Sequence, residues 1–158
     1  MNMNYLFPHK YKKWGWLVFI PTAVLAFLTV LNDYSPAWLD ARVFAIAVDE
    51  IFGQEKYFGF IDNNLLNELL GVLLIISGLV VAFSKEKVED ELISSIRLKS
   101  LVWATYVNYG VLLLAFIFVY DLSFLWVMIF NMFTLLVFFI IRFNWQVYRL
   151  RKSLADEE

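Results

Sequence analysis

Cysteine is absent from this chain of 158 residues, and histidine occurs only once. The chain therefore has no disulfide, no thiolate metal ligand and no cysteine nucleophile. A single histidine, His9, excludes a zinc or haem site built from two or three histidines of one chain. The carboxylates lack the paired spacing of a hydrolase, and no glycine-rich phosphate-binding loop occurs. The sequence thus predicts no catalytic residue, no cofactor and no metal, and it argues against an enzyme.

Net charge is also small. The chain has 13 Lys and Arg against 15 Asp and Glu, a formal charge of −2, which gives no argument for direct binding to nucleic acid. Apolar residues are abundant instead: 61% of the chain is hydrophobic and 19% aromatic, with a mean hydropathy of +0.67. A soluble domain could not bury this much apolar surface. Composition therefore predicts a membrane protein, with the lipid bilayer as its main partner.

Four apolar segments account for this composition: residues 14–31, 65–83, 101–120 and 124–141. Each has roughly 18–20 residues, enough for a helix to cross a hydrocarbon layer of about 30 Å. The first is long for a signal peptide and no cleavage pattern follows it, so we expect it to be retained as a signal anchor. The prediction is an all-α membrane protein whose residues 1–158 form one domain, an antiparallel bundle of four transmembrane helices.

Basic residues lie almost entirely on one side of these segments. Three precede the first segment, four lie between the second and third, and four follow the last; only Arg42 and Lys56 lie elsewhere. Because basic flanking residues stay on the cytoplasmic side, both termini are predicted to be cytoplasmic in a bacterial inner membrane. Residues 32–64 then form an outer loop, and residues 142–158 a cytoplasmic tail. Five tryptophans near the segment ends fit an aromatic interface belt: Trp14, Trp16, Trp103, Trp126 and Trp145.

The outer loop is acidic, and its conformation is not fixed by the sequence. Ser35 and Pro36 form a helix-start signal, so that a short helix could cover residues 38–52. The apolar positions of residues 38–52 do not form one clean stripe, however. The loop is either a collector of cations or ligands or, as the simpler interpretation, a solvated cap over the bundle.

The cytoplasmic connection, residues 84–100, has neither Gly nor Pro and is predicted to be helical. Ser84 could cap it, acids would occupy its first turns and bases would follow, in the order that the helix dipole favours. An apolar face accompanies these charges, and the helix should continue unbroken into the third span. The connection is either a charged lead-in to that span or a docking surface. The candidate partner-binding residues are Glu89, Asp90, Glu91, Ile93, Ile96, Arg97 and Lys99.

These same residues, followed by Ser100 and a membrane helix, resemble a signature of small uncharacterised bacterial integral membrane proteins. Their genes often lie beside a small helix-turn-helix transcriptional regulator. Residues 83–91 and 103–109 make the chain similar to a four-span branch of this group, and the resemblance covers residues 82–144. It implies a membrane partner of a cytoplasmic regulator. No chemistry is established for the group, so the resemblance implies no catalytic residue.

Polar residues inside the apolar segments are few, and they are the remaining candidates for function: Glu68, Thr105, Asn108, Tyr109, Asn131 and Thr134. A short turn at residues 121–123 makes the last two spans antiparallel neighbours. We therefore expect Asn108 within about a turn of Asn131, and Tyr109 near Thr134. Such contacts either hold helices together or line a polar path. Glu68 lies too near the outer boundary for a proton-coupled mechanism.

Two hypotheses of function remain. In the first, the chain is an interaction or regulatory partner of a cytoplasmic protein, which it binds through the connection and the tail. In the second, it is a small channel or transporter subunit with a polar path between spans three and four. The sequence also leaves open an immunity-type protein that protects the membrane from a toxin, and it is compatible with a monomer or a homo-oligomer.

Overall fold

The computed structural model of the protein describes residues 5–48 and 56–156. Within these ranges it contains four α-helices and a two-stranded antiparallel sheet. The helices are α1 (His9–Asn32), α2 (Leu66–Ala82), α3 (Glu91–Phe118) and α4 (Asp121–Ala155), and the strands are β1 (Asp40–Val48) and β2 (Lys56–Asn64). The predicted helical class is confirmed, and the β-hairpin is an addition to it.

Three of the helices in the described part of the chain are long and apolar enough to cross a membrane: α1, α3 and α4, with 24, 28 and 35 residues. Helix α2 is apolar but has 17 residues, a length of about 26 Å. A helical membrane protein is the class that this architecture defines.

The connection between α1 and α2, whose conformation the sequence left open with a short helix as one possibility, contains two strands. In β1, the half-buried Ala41, Val43 and Ala45 alternate with exposed residues, which is the period of a strand. Of the short helix that could have covered residues 38–52, only a 3₁₀ turn at Ala37–Leu39 is present, because β1 begins at Asp40; residues 49–52 lie outside the described residues. Phe44 pairs with Phe60 across the hairpin, with the ring centroids 5.6 Å apart in an edge-to-face arrangement. Such aromatic pairs across two strands stabilise a hairpin.

The chain divides into two compact units, one of Ile20–Leu74 and the other of Met1–Phe19 with Ile75–Glu158. In the first unit, Asn64 closes the base of the hairpin and begins α2. Its Nδ2 donates to Pro36 O at 2.8 Å and to Asp40 Oδ1 at 2.6 Å, while its Oδ1 accepts from Leu66 N at 3.2 Å. The last of these bonds satisfies one of the free backbone N–H groups of the α2 N-terminus.

Helix α3 begins later than the sequence suggested. Asp90 has an extended backbone, and its carboxylate accepts from Ile93 N at 2.7 Å, which makes it the N-cap. Residues 84–90 are not helical, so the helix predicted to start at Ser84 is wrong there. The expected continuity is confirmed, because α3 runs unbroken from Glu91 into the predicted third span.

The two longest helices are joined by Val119 and Tyr120, rather than by the predicted turn at residues 121–123. Helix α4 then continues through 155. The predicted cytoplasmic tail is thus mostly the end of this helix. At 35 residues, α4 is about 52 Å long and exceeds the hydrocarbon thickness by about 20 Å.

The core of the second unit is aromatic. The rings of Phe83, Phe139 and Phe143 stack in series, with centroids 5.5 Å and 5.8 Å apart. Close helix packing depends on small residues: a Cβ at Gly15 would lie 2.9 Å from the side chain of Val81. A Cβ at Gly78 would overlap Leu136, so this glycine also permits a close approach.

Candidate functional site

The second unit contains a buried group of charged and amide side chains, here called the ionic cluster: Lys12, Glu86, Glu89, Arg97, Asn144 and Arg151. Its members come from the start of α1, the connection between α2 and α3, the start of α3 and the end of α4. The cluster is assembled around that connection, residues 83–90.

The N-terminal segment lies alongside this connection as a short extended pair. Phe7 N donates to Phe83 O, and Lys85 N donates to Phe7 O, both at 2.9 Å. His9 Nδ1 lies 2.9 Å from Lys85 O, so the protonated Nδ1 donates. These bonds place Lys12, one turn further along α1, beside Glu86.

Glu86 is the acceptor shared by two cations. Its Oε1 pairs with Lys12 Nζ, and its Oε2 pairs with Arg151 Nη2 at 2.8 Å. The side chain of Glu86 is 3% exposed, whereas that of Arg151 is more than half exposed. Lys12 Nζ also donates to Asn144 Oδ1 at 2.9 Å. A buried carboxylate is tolerated here because both of its oxygens have cationic partners.

The side chain of Arg97 bridges the C-terminal end of α2 and residue Glu89 of the connection. Its Nη2 lies 3.1 Å and 3.2 Å from the two carboxylate oxygens of Glu89, and its Nη1 donates to Ala82 O at 2.9 Å. The Ala82 carbonyl is one of those left free at the helix C-terminus, where a cation is favourable. Arg97 Cζ also lies 4.3 Å from the ring centroid of Phe143, a cation–π contact. Arg97 is therefore a packing residue of the unit as well as an ion-pair partner.

Charge and hydrogen bonding within the cluster are nearly balanced. Lys12, Arg97 and Arg151 face the carboxylates of Glu86 and Glu89, and Glu89 Oε2 also accepts from Glu86 N at 2.8 Å. In the described part of the chain, the buried side-chain atoms without a hydrogen-bond partner are Arg97 Nε and Ser100 Oγ. The cluster is thus a nearly satisfied network that orders the connection.

The candidate partner-binding residues separate into three groups by burial. Ile93 and Arg97 are buried, Glu89 and Ile96 are half-buried, and Asp90, Glu91 and Lys99 are exposed. The structure does not offer Ile93 and Arg97 to a partner, because both face the interior of the unit. The exposed docking candidates are Asp90, Glu91 and Lys99. Val88 and Leu92, which belong to the segment predicted to bind a regulator, are also exposed.

A second polar group, the amide cluster, joins α3 to α4: Asn108, Asn131 and Thr134. The expected Asn108–Asn131 contact forms reciprocally, each amide donating to the other at 3.4 Å and 3.3 Å. Thr134 Oγ1 donates to Asn108 Oδ1 at 2.5 Å, instead of meeting Tyr109. Asn108 is 4% exposed, so the donors and acceptors of the cluster are directed at one another.

The other intramembrane candidates are not part of this group. The side chain of Tyr109 is exposed on the surface of α3, which corrects the expectation that it lies near Thr134. Thr105 Oγ1 donates to Leu101 O of its own helix at 2.9 Å. In the first unit, Glu68 is exposed in the first turn of α2 and accepts from Asn63 Nδ2 at 2.7 Å. None of these three pairs with another helix of the candidate polar path in the described residues.

Sequence reasoning missed most of the ionic cluster. It treated Lys12 and Arg151 as orientation signals and Glu86 as a helix-start acid. The partners of Glu86 lie 74 and 65 residues away in the chain, so no local spacing marks them. The one available signal was Asn144, an amide among apolar residues just beyond the fourth predicted span.

Neither metal ligands nor relatives add a further indication of function. Among the residues that the structure describes, no three His, Asp or Glu side chains are grouped as metal ligands. Comparison of the chain with protein-family models, with curated proteins and with solved structures gives no match.

Proposed function

We propose that this chain is a multi-pass protein of the bacterial inner membrane that binds a cytoplasmic regulator through the connection between α2 and α3 and the first turn of α3. Four spans with both termini in the cytoplasm are the proposed topology. The distribution of basic residues supports it, with α2 as a short second span. The resemblance of residues 82–144 to bacterial proteins encoded beside helix-turn-helix regulators supports the kind of partner.

The observation that carries this proposal is an exposed apolar pair, Val88 on the ordered connection and Leu92 in the first turn of α3. Val88 is 73% exposed and Leu92 is 51% exposed, and both precede the predicted third span. Lipid would therefore not cover them, and exposed apolar side chains outside the membrane favour contact with a protein. The acids Asp90 and Glu91 lie between them and are exposed. Such a surface fits a partner that offers apolar and basic side chains together.

The ionic cluster supports the same function by holding the connection in place. Glu89, next to Asp90, is fixed by Arg97, and Glu86 is fixed by Lys12 and Arg151. A surface displayed on an ordered segment loses less conformational entropy on binding than a flexible one. The regulator is thus proposed to bind a preformed surface, with Val88, Glu91 and Leu92 at its centre.

The test is affinity capture from the native host with the variant Glu91→Lys/Leu92→Ser. Both side chains are exposed, so the fold should be retained. A regulator that is captured by the natural chain, identified by mass spectrometry and shown to bind the purified protein in nanodiscs should be lost from this variant. The matched control is Asp62→Asn, which removes an exposed acid of the β-hairpin and should retain the regulator. Equal capture by both variants would contradict the proposal.

A small channel or transporter subunit is the second candidate, and the amide cluster is the observation that favours it. Amide side chains within apolar helices are costly unless they have partners or line a path. The reciprocal hydrogen bonds of Asn108 and Asn131 favour the first explanation. Liposome flux decides between them. If the natural protein conducts an ion and the Asn108→Leu/Asn131→Leu variant conducts it equally, the amides do not line the path.

A further inference from the structure

Most of the bases on the two longest helices form no ion pair in the described part of the chain. Residues 92–118 of α3 and 122–155 of α4 contain no Asp or Glu but have six Lys and Arg: Arg97, Lys99, Arg142, Arg149, Arg151 and Lys152. Arg97 and Arg151 form ion pairs with the connection. Among the described residues, the other four take part in no ion pair. The described part of the chain therefore gives these four bases no ion-pair partner.

Four uncompensated bases and two tryptophans form one continuous surface, here called the basic–aromatic strip: Lys99, Trp103, Arg142, Trp145, Arg149 and Lys152. Arg142 Cζ lies 4.5 Å from the ring centroid of Trp103, so this pair joins α4 to α3. On α3, Lys99 precedes Trp103 by one turn. On the antiparallel α4, the other members follow Arg142 on the same face, at the i+3, i+7 and i+10 positions. Because α3 and α4 run antiparallel, Lys99 and the later members on α4 lie on the same side of the Trp103–Arg142 contact.

We propose that this strip binds the phosphate headgroup of an anionic phospholipid. Lys99, Trp145, Arg149 and Lys152 are exposed, and their uncompensated charge is complementary to a phosphate. Arg142 and Arg149 each lie over a tryptophan ring, at 4.5 Å and 5.7 Å from the centroid. A guanidinium held against a ring keeps its N–H edge free for a phosphate, which it can bind with two parallel hydrogen bonds.

A lipid fits this strip better than a soluble anion, because apolar side chains are exposed beside the Trp103–Arg142 contact. Val102 and Ile141, which neighbour Trp103 and Arg142 in the chain, are exposed and apolar. Arg142 also follows the predicted fourth span immediately, at the depth where tryptophans and bases meet headgroups. The occupant therefore has an anionic head and an apolar body side by side. This inference depends on the membrane class of the protein and not on the proposed regulator.

The experiment is native mass spectrometry of the protein released from nanodiscs of equal parts phosphatidylglycerol and phosphatidylcholine. The natural protein should retain phosphatidylglycerol preferentially. The Arg142→Gln/Arg149→Gln variant should lose this preference by about fivefold for each charge removed, about twenty-fivefold in all. The Lys99→Gln/Lys152→Gln variant removes the same charge from exposed side chains without a ring contact. It should show a similar loss even if the arginine variant does not fold.

The matched control is Lys85→Gln/Lys87→Gln, which takes two exposed bases from the connection. It removes the same charge from the same predicted side of the membrane and should retain the preference. A retained preference in both strip variants would overturn the proposal. An equal loss in the control would also overturn it, because the attraction would then come from overall charge and not from the strip.

Discussion

The ammonium of Lys12 and the carboxylate of Glu86 form a buried ion pair although 74 positions separate them in the chain. This pair joins the start of α1 to the connection between α2 and α3. Arg151 adds a second cation to the same carboxylate from the end of α4. Because Glu86 is almost fully buried and Arg151 is not, the free energy of the group depends mainly on the Lys12–Glu86 pair.

Replacing Glu86 by Gln should destabilise the protein strongly. Lys12 would remain buried without an anion, a loss typically worth about 3–5 kcal/mol, whereas Arg151 could turn to solvent. We expect a clear fall in the midpoint of thermal unfolding in detergent. The control Glu91→Gln removes an exposed carboxylate and should leave the midpoint nearly unchanged. The double variant Lys12→Met/Glu86→Leu should recover most of the lost stability. An unfolding midpoint no higher than that of Glu86→Gln would contradict the buried-pair interpretation.

The consecutive acids Glu89, Asp90 and Glu91 should differ in their effects on stability. Glu89→Gln weakens the pair with the buried Arg97 and should be the most harmful. Asp90→Ala removes the cap of α3, a loss of about 1 kcal/mol. Glu91→Gln should change little. Unfolding midpoints of the three variants, measured side by side, test this order. Equal effects would mean that the three acids act as one charged surface, as the sequence alone suggested.

The sequence predicted the membrane class and the continuity of α3 because long apolar runs carry that information locally. It did not predict the hairpin, since Ala41, Val43 and Ala45 form an alternating pattern too short and too weakly apolar to stand out. The sequence also did not distinguish Glu89 from Asp90 and Glu91. Its partner Arg97 comes close only because residues 84–90 form a turn and not a helix. The amide cluster was partly predictable, since a short turn fixes which positions of antiparallel helices meet. The face of α3 on which Tyr109 lies could not be predicted from the sequence.

Ser100, a buried residue of α3 outside the ionic cluster, allows a test of the cost of an unpartnered hydroxyl. Its hydroxyl is buried and has no hydrogen-bond partner in the described structure. An unsatisfied buried hydroxyl is costly, so Ser100→Ala should leave stability unchanged or raise it by about 1 kcal/mol. Ser84→Ala is the matched control, because Ser84 Oγ donates to Val80 O at 2.5 Å. That variant should lower the unfolding midpoint. A similar fall for Ser100→Ala would mean that its hydroxyl has a partner in the membrane-embedded protein.

A double-mutant cycle of Asn108→Leu and Asn131→Leu should reveal energetic coupling across α3 and α4. Two reciprocal amide bonds join these residues, and interhelical bonds of this kind are worth about 0.6 kcal/mol on average, up to about 1.7 kcal/mol. Unfolding in detergent mixtures measures the coupling. The matched cycle pairs Thr105→Val with Asn131→Leu and should give no coupling, because Thr105 bonds within its own helix. Zero coupling in the Asn108–Asn131 cycle would indicate that water competes for the amides, which is what a polar path requires.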